Sequence, residues 1–163
     1  MSCRVGIGFD SHRFIADRPL ILAGIQIPYH LGLKGHSDAD VLWHAITDAL
    51  LGAASLGDIG SHFPDTDPLY KNKESIYFLQ KVKTLLDEQK YEIVHIDSVV
   101  ILEKPKLADY ILSMRQNTAK ILELEECQVS IKAKTAEGMG YIGRGEGIAV
   151  HAAATLNQKI LPV

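Results

Sequence analysis

Residues 35–58 read GHSDADVLWHAITDALLGAASLGD, and the period of this stretch decides what the chain around it must supply. Leu42, Ala45, Ile46, Ala49 and Ala53 recur at three- and four-residue intervals, the spacing of one face of an α-helix. Ser37 can cap such a helix with Asp40 three residues on, and Gly57 stands where it would stop. His44 lies within the helix, with Asp40 and Asp48 one turn before and after it on the same face. Either carboxylate could orient the imidazole from outside a ligand set.

Upstream, GIGFDSH occupies residues 6–12 and continues a strand predicted over residues 3–9. Side chains two apart on a strand leave the same face, so Asp10 and His12 converge on one point. With His44 they make an Asp-His-His trio, the ligand count of a catalytic zinc site that keeps its fourth position open. The same residues also read as a buried Asp10–His12 hydrogen-bonded pair with His44 on a solvated helix face, and the spacing alone leaves both readings standing.

PLILAGIQIPY, residues 19–29, predicts two short strands around Ala23-Gly24. Helical spacing returns over 74–90 and 106–122. IVHIDSVVILE at 93–103, residues 128–135 and residues 147–156 read as further strands. The order β-β-α-α-β-α-β-β predicts an α+β fold, an α/β sandwich in which helices pack on one face of a mixed sheet. The 163 residues, without repeat or linker, are expected to form one domain, 1–163.

Seventeen basic and twenty acidic residues give a net charge of −3, and no Lys/Arg block stands ready for phosphates of a nucleic acid or an anionic membrane. Cys3 and Cys127 form neither a CxxC pair nor a disulfide framework. The first residues show no signal or transit pattern, and no apolar run reaches membrane-spanning length, so a soluble cytoplasmic protein is expected.

Three other stretches carry chemistry. His36 and Ser37 precede the helix, where free N–H groups and the dipole attract phosphate; an ordinary cap is the plainer reading. GDIGSHFPDTDP, residues 57–68, concentrates Asp58, Asp65 and Asp67 in a turn-rich loop that is either solvated or a ligand loop. GMGYIG at 138–143 spells G-x-G-x-x-G, but a strand rather than a helix follows it, which removes a dinucleotide-binding reading. Read as KAKTAEGMGYIGRGEG, residues 132–147, it offers Thr135, Glu137 and Arg144 as a hydroxyl, a metal ligand and an anion clamp, or is a glycine-rich hairpin. With no G-x-S-x-G, P-loop or reactive cysteine, phosphate chemistry here would leave the nucleophile to the substrate.

Taken together, GFDSH, HSDADVLWHAITDALLGAASLGDIG, FPDTDP, KPK, IKAKTAE and GRGEGIA resemble the 2-C-methyl-D-erythritol 2,4-cyclodiphosphate synthases of the non-mevalonate isoprenoid pathway, nearly end to end and in order. The resemblance implies a zinc-dependent homotrimer with active sites between subunits, acting on a small cytidine diphosphate-linked substrate. It implies Zn²⁺ on Asp10, His12 and His44, a second divalent ion, Mg²⁺ or Mn²⁺, held with Glu137, and charge stabilisation by His36 and Thr135.

On the same ground Ser37 joins the phosphate contacts, and Asp58, Ile59 and Gly60 touch the ribose and methylerythritol portions. Phe63, Pro64, Asp65, Thr66 and Asp67 close over the latter. Leu102, Glu103, Lys104, Pro105, Lys106, Leu107 and Ala108 receive cytidine, while Lys134, Ala136, Tyr141 and Arg144 complete the walls. Arg144 or Glu146 could instead face a central cavity able to hold an isoprenoid diphosphate. The chain departs from the family's pattern at Ile7, Ser11, Lys134, Leu102 and Leu107. A non-haem Fe(II) oxygenase triad and a metal-stabilised trimeric binding protein are the competing readings of the trio.

Overall fold

The computed structural model describes residues 3–35, 37–64, 66–70 and 73–158. Its central helix, α1 (Val41–Ala54), starts later and ends sooner than the spacing predicts. Ala39 stands at φ 56°, a left-handed conformation through which a helix cannot be extended back to Ser37. The cap is therefore Asp40, whose carboxylate accepts the Trp43 N–H. At the other end Ser55 takes the left-handed conformation, so the helix stops before Gly57.

Asp40 does more than cap. It is fully buried, and its oxygens also accept the Ala23 and Gly24 N–H groups at 3.0 and 2.7 Å. Those two residues turn the hairpin between β2 (Leu20–Leu22) and β3 (Ile25–Ile27), both at positive φ as the tight primed turn requires. Burial pushes the Asp40 carboxyl up to about 6, against the pull of its three N–H donors. The carboxylate thus ties α1 to the hairpin at a cost in desolvation.

The main sheet runs in the order β4-β1-β7-β5-β6, from β1 (Cys3–Ile15), β4 (Gly32–Leu33), β5 (Tyr91–Ile101), β6 (Val129–Lys134) and β7 (Gly147–Gln158). All pairings are antiparallel except β5 with β6, which are parallel because α4 (Ile111–Leu122) carries the chain across between them. β7 lies between β1 and β5, so residues 138–147 do not close a β6–β7 hairpin; they contain the single-turn helix α5 (Gly140–Gly143). Helices α1, α3 (Ser75–Glu88) and α4 cover one face, as the mixed-sheet reading expects. The Trp43 indole donates to the buried Thr118 hydroxyl at 3.1 Å and locks α1 to α4.

β1 is inverted relative to ordinary patterning. Its apolar Val5, Ile7 and Phe9 are exposed at 67, 81 and 51%, while Gly6 and Gly8 face the core. The reason is contact between backbones: a β-carbon on Gly8 would lie 2.0 Å from the Ala45 carbonyl oxygen, and one on Gly6 would lie 2.1 Å from that of Ala49. Alanines on the helix and glycines on the strand let α1 lie directly on β1. Gly8→Ala should lower the unfolding free energy by about 1–3 kcal/mol in denaturant titration. Gly52→Ala, whose added methyl meets nothing nearer than 3.7 Å, should leave it equal or raise it by about 0.5–1 kcal/mol.

Candidate active site

Strand pleat and helix face bring the trio together. Asp10 Oδ2 lies 3.0 Å from His12 Nε2 and 3.1 Å from His44 Nδ1, and one ligand atom from each residue falls within 4.8 Å of the others. The strand continues through Ile15, so Asp10 and His12 are held by regular β1–β7 pairing rather than by a loop.

The far side of each ring fixes where its proton goes. His12 Nδ1 faces the Lys34 carbonyl oxygen at 2.7 Å; a carbonyl only accepts, so this nitrogen carries the hydrogen. The neutral ring then turns a bare Nε2 toward Asp10. His44 Nε2 meets the Ser75 hydroxyl at 2.9 Å. Neither Asp40 nor Asp48 orients this ring by a hydrogen bond: Asp40 is occupied as a buried cap, and Asp48 accepts the Ile59 N–H at 2.8 Å.

Burial works to raise the Asp10 carboxyl, but hydrogen bonds from His12 and then His44 outweigh it and hold the group far below the usual carboxylate range. Burial works to lower His12, and the Asp10 carboxylate outweighs it, so the imidazole titrates above its ordinary value. Asp48 is shifted up, first by burial and then by neighbouring Asp58 and Asp10. Asp58 is shifted down by the Ser61 hydroxyl and N–H that it accepts as the cap of α2 (Ile59–His62).

The trio opens on a cavity of about 710 Å³, lined on its polar side by Ser37 and Asp48 and on the loop side by Ile59, Gly60, Phe63 and Thr66. Phe63, Tyr70 and Phe78 form an aromatic wall, Phe63 meeting Tyr70 edge to face at 5.3 Å between centroids and Phe78 at a tilt at 5.0 Å. Pro64 and Asp67 shape the adjoining turn, where the Asp67 N–H reaches the Pro64 carbonyl at 3.0 Å. His36 and Asp65 lie outside the described residues.

The remaining sequence-predicted residues gather elsewhere. Glu103 accepts the Ala136 and Gly138 N–H groups at 2.9 and 3.2 Å, and the Leu102 N–H bonds the Lys134 carbonyl at 2.9 Å. Thr135 donates to Glu137, and Arg144 pairs with Glu146 at 2.6 Å. Lys104, Lys106, Ala108 and Tyr141 are exposed and Pro105 partly so, with a cis bond before it. Leu102 and Leu107 are core side chains, leaving a ligand only their backbone. None of this group lines the cavity beside Asp10; Thr135 and Glu137, which follow β6, stand beyond β7 and β5, about 14 Å from β1 at about 4.8 Å per strand.

Sequence reading missed Ser75, Tyr70, Phe78 and the Lys34 carbonyl. Helical spacing marks Phe78 as apolar, but nothing local links Ser75 to His44 across 31 positions.

An Asp-His-His trio with one ligand atom from each residue near a common point, beside a cavity on an α+β scaffold, could hold a divalent metal ion. The helix-borne His44 and mixed sheet do not match the all-β barrel of the oxygenase reading. The chain belongs to the YgbB family, which it matches over residues 3–157. The 2-C-methyl-D-erythritol 2,4-cyclodiphosphate synthase of Prosthecochloris aestuarii (strain DSM 271 / SK 413) is 55% identical over 96% of this chain and 99% of that protein. Among solved structures, the bifunctional IspDF of Campylobacter jejuni superposes with a TM-score of 0.93 at 46% identity, covering 97% of this chain; the chain spans 43% of that one. A 2C-methyl-D-erythritol-2,4-cyclodiphosphate synthase in a CDP-bound form gives 0.88 at 35% identity, covering 94% of this chain and all of that one.

Since Asp10 favours the protonated His12 ring, a metal ion bound by the trio would have to displace that proton. Zn²⁺ affinity, measured against a competing chelator, should strengthen as pH rises from 6 toward and through the raised His12 value, by up to about tenfold per unit. The heat of binding should vary with the ionisation enthalpy of the buffer.

Proposed function

We propose that this protein is a metal-dependent phosphorus-oxygen lyase that converts 4-diphosphocytidyl-2-C-methyl-D-erythritol 2-phosphate to 2-C-methyl-D-erythritol 2,4-cyclodiphosphate and CMP. The observation that carries the reading is the convergence of Asp10, His12 and His44 at the mouth of a cavity large enough for a small molecule. The close relatives bear that enzyme's name, and the CDP-bound neighbour supports a cytidine-linked ligand.

An oxygen of the 2-phosphate attacks the β-phosphorus. The new P–O bond closes the ring, and the bond from the β-phosphorus to the bridging oxygen breaks, its electron pair leaving with CMP. Zn²⁺ on the trio, with Mg²⁺ or Mn²⁺ held through Glu137, would act as a Lewis acid for the diphosphate charge. His36, Ser37 and Thr135 place donors where negative charge grows. Asp58, Ile59 and Gly60 contact the ribose and methylerythritol portions, and the 63–67 stretch closes over the latter. Residues 102–108 receive cytidine, and Lys134, Ala136, Tyr141 and Arg144 wall the phosphates. Holding the tethered nucleophile near attack geometry supplies about 7–11 kcal/mol, so no serine or cysteine nucleophile is required.

The working unit is a homotrimer with each active site between two subunits. Support comes from the exposed Val5–Ile7–Phe9 row, and from the separation of the Asp10 and Thr135 groups across one chain's sheet. With Arg144 committed to the active-site wall, Glu146 lines a central trimer cavity able to hold an isoprenoid diphosphate. The whole chain, 1–163, is one domain, which the match over 3–157 supports. It works in the cytoplasm; no helix among the described residues is long and apolar enough to cross a membrane.

His44→Ala should keep the fold by circular dichroism and lose CMP release with zinc by at least about a hundredfold. Unfolding of wild type on chelation would instead favour a structural metal. Ile7→Glu should shift sedimentation toward monomers and abolish CMP release while Zn²⁺ binding persists, because one chain supplies all three ligands.

A further inference from the structure

We propose that Ser75, held in place by Asp38, is a positioning residue of the metal centre: a hydroxyl relay that keeps a hydrogen on His44 Nε2, so that Nδ1, which faces Asp10, is the nitrogen a metal takes. The inference rests on the metal-site reading given above and adds a residue to it.

Ser75 is the first residue of α3 and is 1% exposed, so its hydroxyl cannot turn to water. A serine hydroxyl has one hydrogen to give. Its Oγ is in close contact with Asp38 Oδ1, and a carboxylate only accepts, so the hydrogen points there. What remains toward His44 is a lone pair, 2.9 Å from Nε2. That nitrogen must therefore be the one bearing hydrogen. The other, Nδ1, lies 3.1 Å from Asp10 Oδ2, so the hydrogen it shares with that carboxylate is the one a metal ion displaces. The direction of every hydrogen in the chain Asp38–Ser75–His44 follows from the carboxylate at its end.

Asp38 is itself fixed from several sides. It accepts the Ser75 N–H at 3.1 and 3.2 Å through its two oxygens, which caps α3 in place of Glu74, a residue making no side-chain cap bond. The Asp40 N–H and the Ser37 hydroxyl approach its Oδ1 at 3.4 and 3.3 Å. One carboxylate therefore joins the loop before α1, the start of α3 and the distal edge of a metal-ligating ring. His12 is served in the same way by the Lys34 carbonyl, so both imidazoles have their outer nitrogen committed.

The bland alternative is that Asp38 merely caps α3 and Ser75 fills space. Ser75→Ala separates the two, since it keeps the backbone N–H that Asp38 caps and removes only the hydroxyl. In the full-length protein, Zn²⁺ affinity of Ser75→Ala by chelator competition should fall about 10–100-fold relative to wild type. Its metal-free melting temperature should stay close to wild type. Long-range ¹H–¹⁵N spectra of the Zn²⁺-loaded protein should show His44 ligating through Nδ1 with its hydrogen on Nε2 in wild type and a mixture of ligating nitrogens in the variant. Asp38→Asn, which keeps a carbonyl acceptor, should lie between the two in affinity. Ser75→Ala with wild-type Zn²⁺ affinity, or an unchanged His44 tautomer, overturns the relay and leaves the metal site standing. Wild type that fails to bind Zn²⁺ overturns both.

Discussion

The site depends on the direct contact of α1 with β1. Gly6 and Gly8 carry no side chain toward the helix, and the helix answers with Ala45, Ala49 and Ala53. Larger residues on either element would hold the two backbones farther apart, and His44 would lose its reach to Asp10 on the strand. The strand therefore spends its core-facing positions on glycine and turns its branched and aromatic residues outward. Loss of buried side-chain area at Gly6 and Gly8 is made up around the contact by Trp43, Leu42, Ile46 and Leu50, all in the core.

Two carboxylates flank this contact and are handled in opposite ways. Asp40 sits in a cradle of three backbone N–H groups, and burial pushes it up to about 6. Its ionised form is penalised in the folded protein, so its contribution to stability is present below its ordinary value of 3.8 and fades as pH rises through about 6. Asp10 has both imidazoles against its Oδ2, and their hydrogen bonds override burial to keep it ionised. One carboxylate organises backbone; the other remains a charged ligand. Reversing these environments would leave a neutral acid at the metal position.

Much of this was legible in the sequence wherever a period is involved. The i, i+2 relation of Asp10 and His12 needed only the pleat, and the alanine-rich stripe around His44 needed only the helical repeat. What failed was set by groups distant in the chain. Ser37 looks as good a cap as Asp40 until Ala39 is seen at positive φ and the Ala23–Gly24 turn is found on the Asp40 oxygens. Asp48 looks as suitable as Ser75 to hold His44, being one turn away, yet the start of α3 delivers Ser75 and the Ile59 N–H claims Asp48. The β6–β7 hairpin reading was reasonable from two strands and a glycine-rich turn; the insertion of β7 between β1 and β5 is a property of the whole sheet and leaves no local mark.

Sheet order also explains why the predicted site residues fall into two groups. β1 carries Asp10 and His12, whereas Thr135 and Glu137 follow β6 on the opposite flank, beyond β7 and β5. No side chain spans three strand spacings, so a single chain cannot present both groups to one diphosphate. In the proposed trimer the outward Val5, Ile7 and Phe9 would gain the burial that the glycines deny them on the other face. The same packing would bring one chain's β6 flank to its neighbour's β1. The glycines that let α1 reach the metal ligands and the apolar row that calls for a partner are thus alternate residues of one strand. Moving the apolar row to the inner face would weaken assembly and metal ligation together, which couples the two requirements in a single stretch of backbone.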